Sequence, residues 1–133
     1  HWAAHRLEML SGHRIAHGQA VAVGIALDCV YACREGYLDA HECDRVLAAL
    51  ERVGLPTFVP ELAWRGADGE PAILKGLSDF REHLGGRLTV TLPHGIGGAV
   101  EVHRMNEAWI EDGVARLERR AAERRCGLAT ENT

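Results

Sequence analysis

Apolar residues recur at helical spacing through most of the chain and alternate in only one short stretch. His1 to about Met9 predicts a helix with Trp2, Leu7 and Leu10 available to pack, ended by Ser11-Gly12. After His17-Gly18 a second helix runs from about Gln19 to Arg34. Its segment AVAVGIAL is apolar nearly all round, which predicts burial on most faces. Gly24 costs roughly 1 kcal/mol against Ala inside that helix and marks the close approach of another backbone. Gly36 supplies the stop.

Asp39 with Glu42 forms a capping-box pattern for a third helix, whose face is Val46, Leu47, Leu50 and Val53. Leu55 to Glu70, with Pro56 and Pro60, reads as a loop holding one short turn. Pro71 suits the first position of a fourth helix reaching about Leu84. RLTVTLP and AVEVH then alternate on either side of HGIGG, the pattern of a two-stranded antiparallel hairpin. Asn106 caps a last helix, about Glu107 to Cys126, with Trp109, Ile110, Val114 and Leu117 inward and RLERRAAERR as a solvated face. The expected fold is mainly α with one small β-hairpin: one helical domain over residues 1–126 and a flexible tail over 127–133.

Composition narrows the functional classes. Of 133 residues, 47% are hydrophobic and 26% charged, which is globular rather than disordered. The formal net charge of −4 offers no basic field for nucleic acid or an anionic membrane surface. No run approaches the ~18 apolar residues of a membrane span; the best, Ala20 to Leu27, is closed by Asp28. The four cysteines form no CxxC pair, and Cys29 and Cys33, one turn apart, fit reduced core thiols in a cytoplasmic protein. The chain starts with His and carries no leader pattern, so it is expected to begin inside a larger fold.

Candidate chemistry concentrates at the N-terminal end, where His1, His5, His13 and His17 are four of the eight histidines. His1 and His5 lie one turn apart on one helix face, and His17 follows a turn that can fold it back. Such imidazoles suit a divalent metal such as zinc, although no nearby carboxylate stands out as a further ligand. The same spacing also occurs on solvent-facing helices, and His13, between Gly12 and Arg14, fits the surface better. Gly18 beside His17 permits close backbone approach.

HWAAHRLE followed by AHGQAVAVGIAL resembles the 3-dehydroquinate synthase family, the sugar-phosphate cyclases, through His1, His5, Leu7, Glu8, His17, Gly18, Ala20, Val21, Ala22 and Gly24. RVLAALERVGLP and LGGRLTVTLPHGIGGAVEV resemble later family segments, in order, to about Met105. The resemblance implies that His1 and His17 ligate zinc, or another divalent metal, with a glutamate from an earlier segment. It implies proton handling by His5, and NAD held by an N-terminal nucleotide-binding domain absent from this chain. The implied reaction, that of a carbon–oxygen lyase, cyclises a phosphorylated keto-sugar through phosphate elimination and intramolecular aldol closure. It also implies a homodimer and a chain that is inactive alone. Metal-dependent polyol or alcohol dehydrogenases share the architecture and are the rival reading; a non-catalytic truncated module is the third.

Three departures from the family pattern stand out. HGIGG falls in the hairpin and is a turn, not a phosphate cradle. Gln19 stands where Glu usually follows His-Gly, which alters the surroundings of the metal. The family's tandem lysine before the hairpin is replaced by FREHLGG, leaving Arg81 and His83 as candidate substrate-binding cations. FREHLGG resembles less characterised branches, including one encoded in bacterial secondary-metabolite clusters, rather than the shikimate-pathway enzyme.

Overall fold

The computed structural model describes residues 1–131, with 129–131 as backbone only. Five helices and one hairpin follow in the expected order: α1 (Trp2–Leu10), α2 (His17–Glu35), α3 (Ala40–Arg52), α4 (Leu74–His83), β1 (Val90–Pro93), β2 (Ala99–Val102) and α5 (Glu107–Glu131). A short 3-10 turn, Pro60–Ala63, interrupts the loop before α4.

α2 is the central element and packs against α1, α3, α5 and β1. Its buried residues include Ala20, Val23, Ala26, Leu27, Val30 and Ala32, and within the apolar run Ala20 to Leu27 Ile25 is the exposed exception. The small side chains Ala3 and Ala4 of α1 lie over Gly24, but a Cβ on Gly24 would still stand 3.7 Å from Ala4 N. That is ordinary van der Waals contact. The tight approach expected at Gly24 occurs instead at Gly76 of α4, where a Cβ would meet Arg6 Cβ at 2.8 Å and Trp2 O at 2.9 Å.

α3 carries the predicted reciprocal cap, with Glu42 N donating to Asp39 Oδ1 at 2.8 Å and Asp39 N to Glu42 Oε1 at 3.0 Å. Its buried positions are Cys43 and Leu47. Val53 is 74% exposed, contrary to the expected face, because the helix ends at Arg52 and Val53 occupies the cap. α4 begins later than Pro71: Ala72 N donates to Trp64 O at 2.9 Å, so the chain is still held in a loop bridge there.

The hairpin pairs Val90 with Val102 and Leu92 with Val100; Val90 and Leu92 are buried while Thr91 faces out. His94 N donates to Gly98 O, closing the turn. On α5, Ile110, Val114 and Leu117 are buried, Trp109 packs against the core, and Asn106 Oδ1 accepts from Trp109 N. α5 continues past Cys126 to Glu131; a single Gly such as Gly127 weakens a helix by about 1 kcal/mol without ending it. Residues 132–133 of the expected tail lie outside the described residues.

Candidate metal centre

The site begins with a chain reversal. Gly12 and His13 both adopt φ of 62°, the left-handed region, and turn the chain back along α1. Ser11 fastens the corner, its Oγ donating to Glu8 O and accepting from Ile15 N. Ile15 is buried, and Arg14 pairs with the buried carboxylate of Glu61. His17 is thereby delivered to the first turn of α2, beside the outer face of α1.

There the rings of His1, His5 and His17 form a triangle. Their centroids stand 6.3 Å (His1–His5), 5.8 Å (His1–His17) and 6.2 Å (His5–His17) apart. Two imidazoles sharing one ion through nitrogen–metal bonds of ~2.0–2.1 Å hold their centroids on the order of 5 Å apart. The His1–His17 pair is therefore close to the spacing a shared ion requires. Among the described residues no group of three or more His, Cys, Asp or Glu side chains could hold an ion by itself. Two imidazoles are a partial donor set for zinc, which the neutral nitrogen chemistry suits and which a further carboxylate would complete.

Glu8, the last residue of HWAAHRLE, is a functional candidate that the metal-ligand spacing alone does not reveal. His17 Nδ1 donates to Glu8 Oε2 at 3.2 Å, and His5 Nδ1 lies 3.7 Å from the same oxygen. Its place, one turn beyond His5, was the available signal. A carboxylate behind an imidazole fixes the tautomer and leaves Nε2 outward with its lone pair. Gln19 does not tune this group: its Oε1 accepts from Ala16 N at 3.2 Å and caps α2. A Cβ on Gly18 would meet nothing within 4 Å. His13 is exposed in the corner, as expected.

Two cavities flank the histidines. One, of about 350 Å³, lies between α1, α2 and β1 and is lined by His1, Trp2, Asp28, Thr89 and Thr91 among others. Trp2 Nε1 donates to Asp28 Oδ1 at 3.2 Å. Burial pushes the Asp28 carboxyl up to about 7, with the Trp2 hydrogen bond pulling the other way. The other cavity, of about 400 Å³, lies between α1 and α4 and is lined by His5, Arg6, Met9, Asp79, Phe80 and His83 among others. His83 and His5 thus border the same space. Arg81 is exposed elsewhere on α4: Gly76, Asp79, Phe80 and His83 share one helical face, and Arg81 falls on the opposite side. Of the remaining histidines, His103 Nδ1 donates to Leu88 O and His94 stacks obliquely on Tyr37. Cys29 and Cys43 are buried, and no helix among the described residues is long and apolar enough to cross a membrane.

Comparison with known proteins identifies the family. Residues 1–68 match the family described as 3-dehydroquinate synthase C-terminal. The chain is 37% identical over 120 residues to the 2-epi-5-epi-valiolone synthase of Streptomyces glaucescens, covering 90% of this chain and 29% of that protein. It is 35% identical over 101 residues to the 3-dehydroquinate synthase of Teredinibacter turnerae, covering 75% and 27%. Its fold superimposes with a TM-score of 0.75 and 32% identity on ValA, the 2-epi-5-epi-valiolone synthase of Streptomyces hygroscopicus subsp. jinggangensis 5008, solved with NAD+ and Zn2+ bound; the match covers 85% of this chain and 30% of ValA. The chain thus spans about three-tenths of the length of these relatives. By its sequence and by its helical architecture, the chain belongs to the 3-dehydroquinate synthase family, whose C-terminal domain it matches.

Proposed function

We propose that this chain supplies the metal-binding face of an NAD- and zinc-dependent sugar-phosphate cyclase acting as a carbon–oxygen lyase on a phosphorylated keto-sugar. In this reading His1 and His17 are metal ligands and His5 handles a proton. A nucleotide-binding domain and one further carboxylate ligand come from outside the chain. The observation that carries it is the convergence of the three rings, with His1 and His17 centroids 5.8 Å apart.

Zinc held there supplies a Lewis acid for a substrate oxygen, and NAD supplies a reversible hydride acceptor. This chain's residues supply the rest. Glu8 accepts the Nδ1 proton of His17, which holds that ring in one tautomer and raises its basicity as a ligand. His5 lies farther from the same carboxylate, at 3.7 Å, and its side chain is largely exposed. It is therefore less tightly fixed, which suits an imidazole that passes a proton to and from a bound substrate. Behind His17, α2 is anchored in the core from Ala20 onward.

The test is made in the full-length protein. His17→Ala abolishes both bound zinc and phosphate release, whereas His13→Ala leaves both intact. Equal effects of the two substitutions overturn the assignment. Phosphate release without net NADH is the expected stoichiometry; net NADH from a polyol identifies a dehydrogenase instead.

A further inference from the structure

We propose that Arg6 recognises an oxyanion of the substrate on the wall of the cavity it shares with His5, with His83 as the second cation. This rests on the function proposed above, and it adds a residue for substrate recognition that the sequence pattern did not single out.

The cavity exists because α1 and α4 touch at Gly76, where a side chain would collide with Arg6 Cβ and Trp2 O. The same contact clamps the aliphatic stem of Arg6. Its Nε donates to Ala72 O at 3.0 Å, which fixes the plane of the guanidinium. Among the described residues its Nη groups have no ion-pair or hydrogen-bond partner, although Asp79 borders the same space. An arginine held by its stem and its Nε, with the outer donors uncommitted, is pre-organised for two parallel hydrogen bonds to a phosphoryl or carboxylate group. The volume, about 400 Å³, lies within the range of small-molecule sites.

Chemistry on the two sides of Arg6 gives the site its direction. His5 lines the same cavity, so an anion held at Arg6 shares that space with the group proposed to carry protons. His83 faces the same space from α4, whereas Arg81 does not. Asp79 is an opposing charge on the α4 side, and it weakens the hold on any anion there.

The experiment is calorimetric titration of the full-length protein with inorganic phosphate and, separately, with malonate, with zinc content measured on each sample. Phosphate binding to the parent protein is expected to weaken about tenfold in Arg6→Gln, the scale of hydrogen bonds to a charged group. Asp79→Asn is expected to strengthen it, and Arg6→Lys to restore it only in part, since Lys lacks the fork. Preference for malonate over phosphate, lost in the same variants, assigns the site to a substrate carboxylate rather than to its phosphoryl group. If Arg6→Gln does not fold, His83→Asn, an exposed position, must weaken the same binding. Unchanged phosphate and malonate binding in Arg6→Gln, or in His83→Asn where that variant takes its place, overturns the proposal. So does a parent protein that binds neither anion. Zinc retained in such samples leaves the function proposed above standing, whereas a parent protein without zinc removes both.

Discussion

Glu8 and His17 stand nine residues apart, on either side of a chain reversal, and meet as a hydrogen-bonded pair at 3.2 Å. The carboxylate can only accept, so Nδ1 of His17 carries the proton and Nε2 is the nitrogen left for a ligand. Partners of this kind are worth ~10–100-fold in metal affinity. Glu8→Ala is therefore expected to weaken zinc binding within that range, and Glu8→Gln, which keeps an acceptor without the charge, by less. Competition against a chromophoric chelator measures both. Equal affinity in Glu8→Ala and the parent protein would remove Glu8 from the site.

How much of this was legible depended on distance along the chain. The His1–His5 pair is a local consequence of helical spacing, and the turn at Ser11-Gly12 announced that His17 could return. Caps at Asp39 and Asn106, and the hairpin itself, are likewise local and appear where the pattern placed them. What the pattern could not carry was the meeting of remote elements. The Arg6–Gly76 contact and the shared cavity of His5 and His83 arise from the docking of α4 on α1. Arg81 stands out in the sequence by its charge, but its position on the helix turns it away from the cavity that His5 and His83 line. Val53 continued an apolar stripe, yet the helix stopped one residue before it.

Two of the helical glycines, Gly24 and Gly76, make that difference measurable. At Gly24 the nearest atoms to an added Cβ lie at 3.7–4.0 Å, so Ala fits. Gly24→Ala is expected to be neutral or to stabilise by up to about 1 kcal/mol through helix propensity. At Gly76 the added methyl meets Arg6 Cβ and backbone at Trp2, and overpacking of that kind costs ~1–3 kcal/mol. Urea denaturation midpoints of the two variants should move in opposite directions, or only that of Gly76→Ala should move. A tolerant Gly76 would mean that α4 does not rest on α1 as described.

Asp28 should leave a mark on the pH dependence of stability. Its carboxyl is raised from an ordinary 3.8 to about 7 by burial, so between those values the folded chain holds a proton that the unfolded chain has released. Stability conferred by the protonated form is complete below about 4, declines as pH rises, and is gone above about 7. Asp28→Asn, which mimics the protonated carboxyl, is expected to remove this decline. Relative to the parent it should be stabilising at pH 8, on the order of 2 kcal/mol. Denaturant titrations at pH 5 and pH 8 test it: an equal pH response in both proteins would mean that Asp28 is ionised in the fold.

Glu51 provides the opposite sign, and for a reason that ties α5 to α3. Its side chain is 5% exposed, and burial alone would raise its carboxyl. Instead Arg120 donates from Nε and Nη2 to its two oxygens at 3.1 and 2.9 Å, Thr57 Oγ1 donates at 2.9 Å, and Arg124 lies at 3.4 Å. These partners outweigh burial and hold the group below its ordinary value of 4.5. The stability it contributes is present above that value and is lost as pH falls through the lower folded one. Arg120→Ala leaves a buried carboxylate with only Thr57 and the more exposed Arg124. The expected cost at pH 7 is on the order of 3 kcal/mol, typical of a buried pair broken from one side. Because burial then dominates, the acid sensitivity of this group should shrink or reverse, so the gap between variant and parent narrows from pH 7 to pH 4. A gap that stays constant over that interval would show that Arg120 joins α5 to α3 by packing alone.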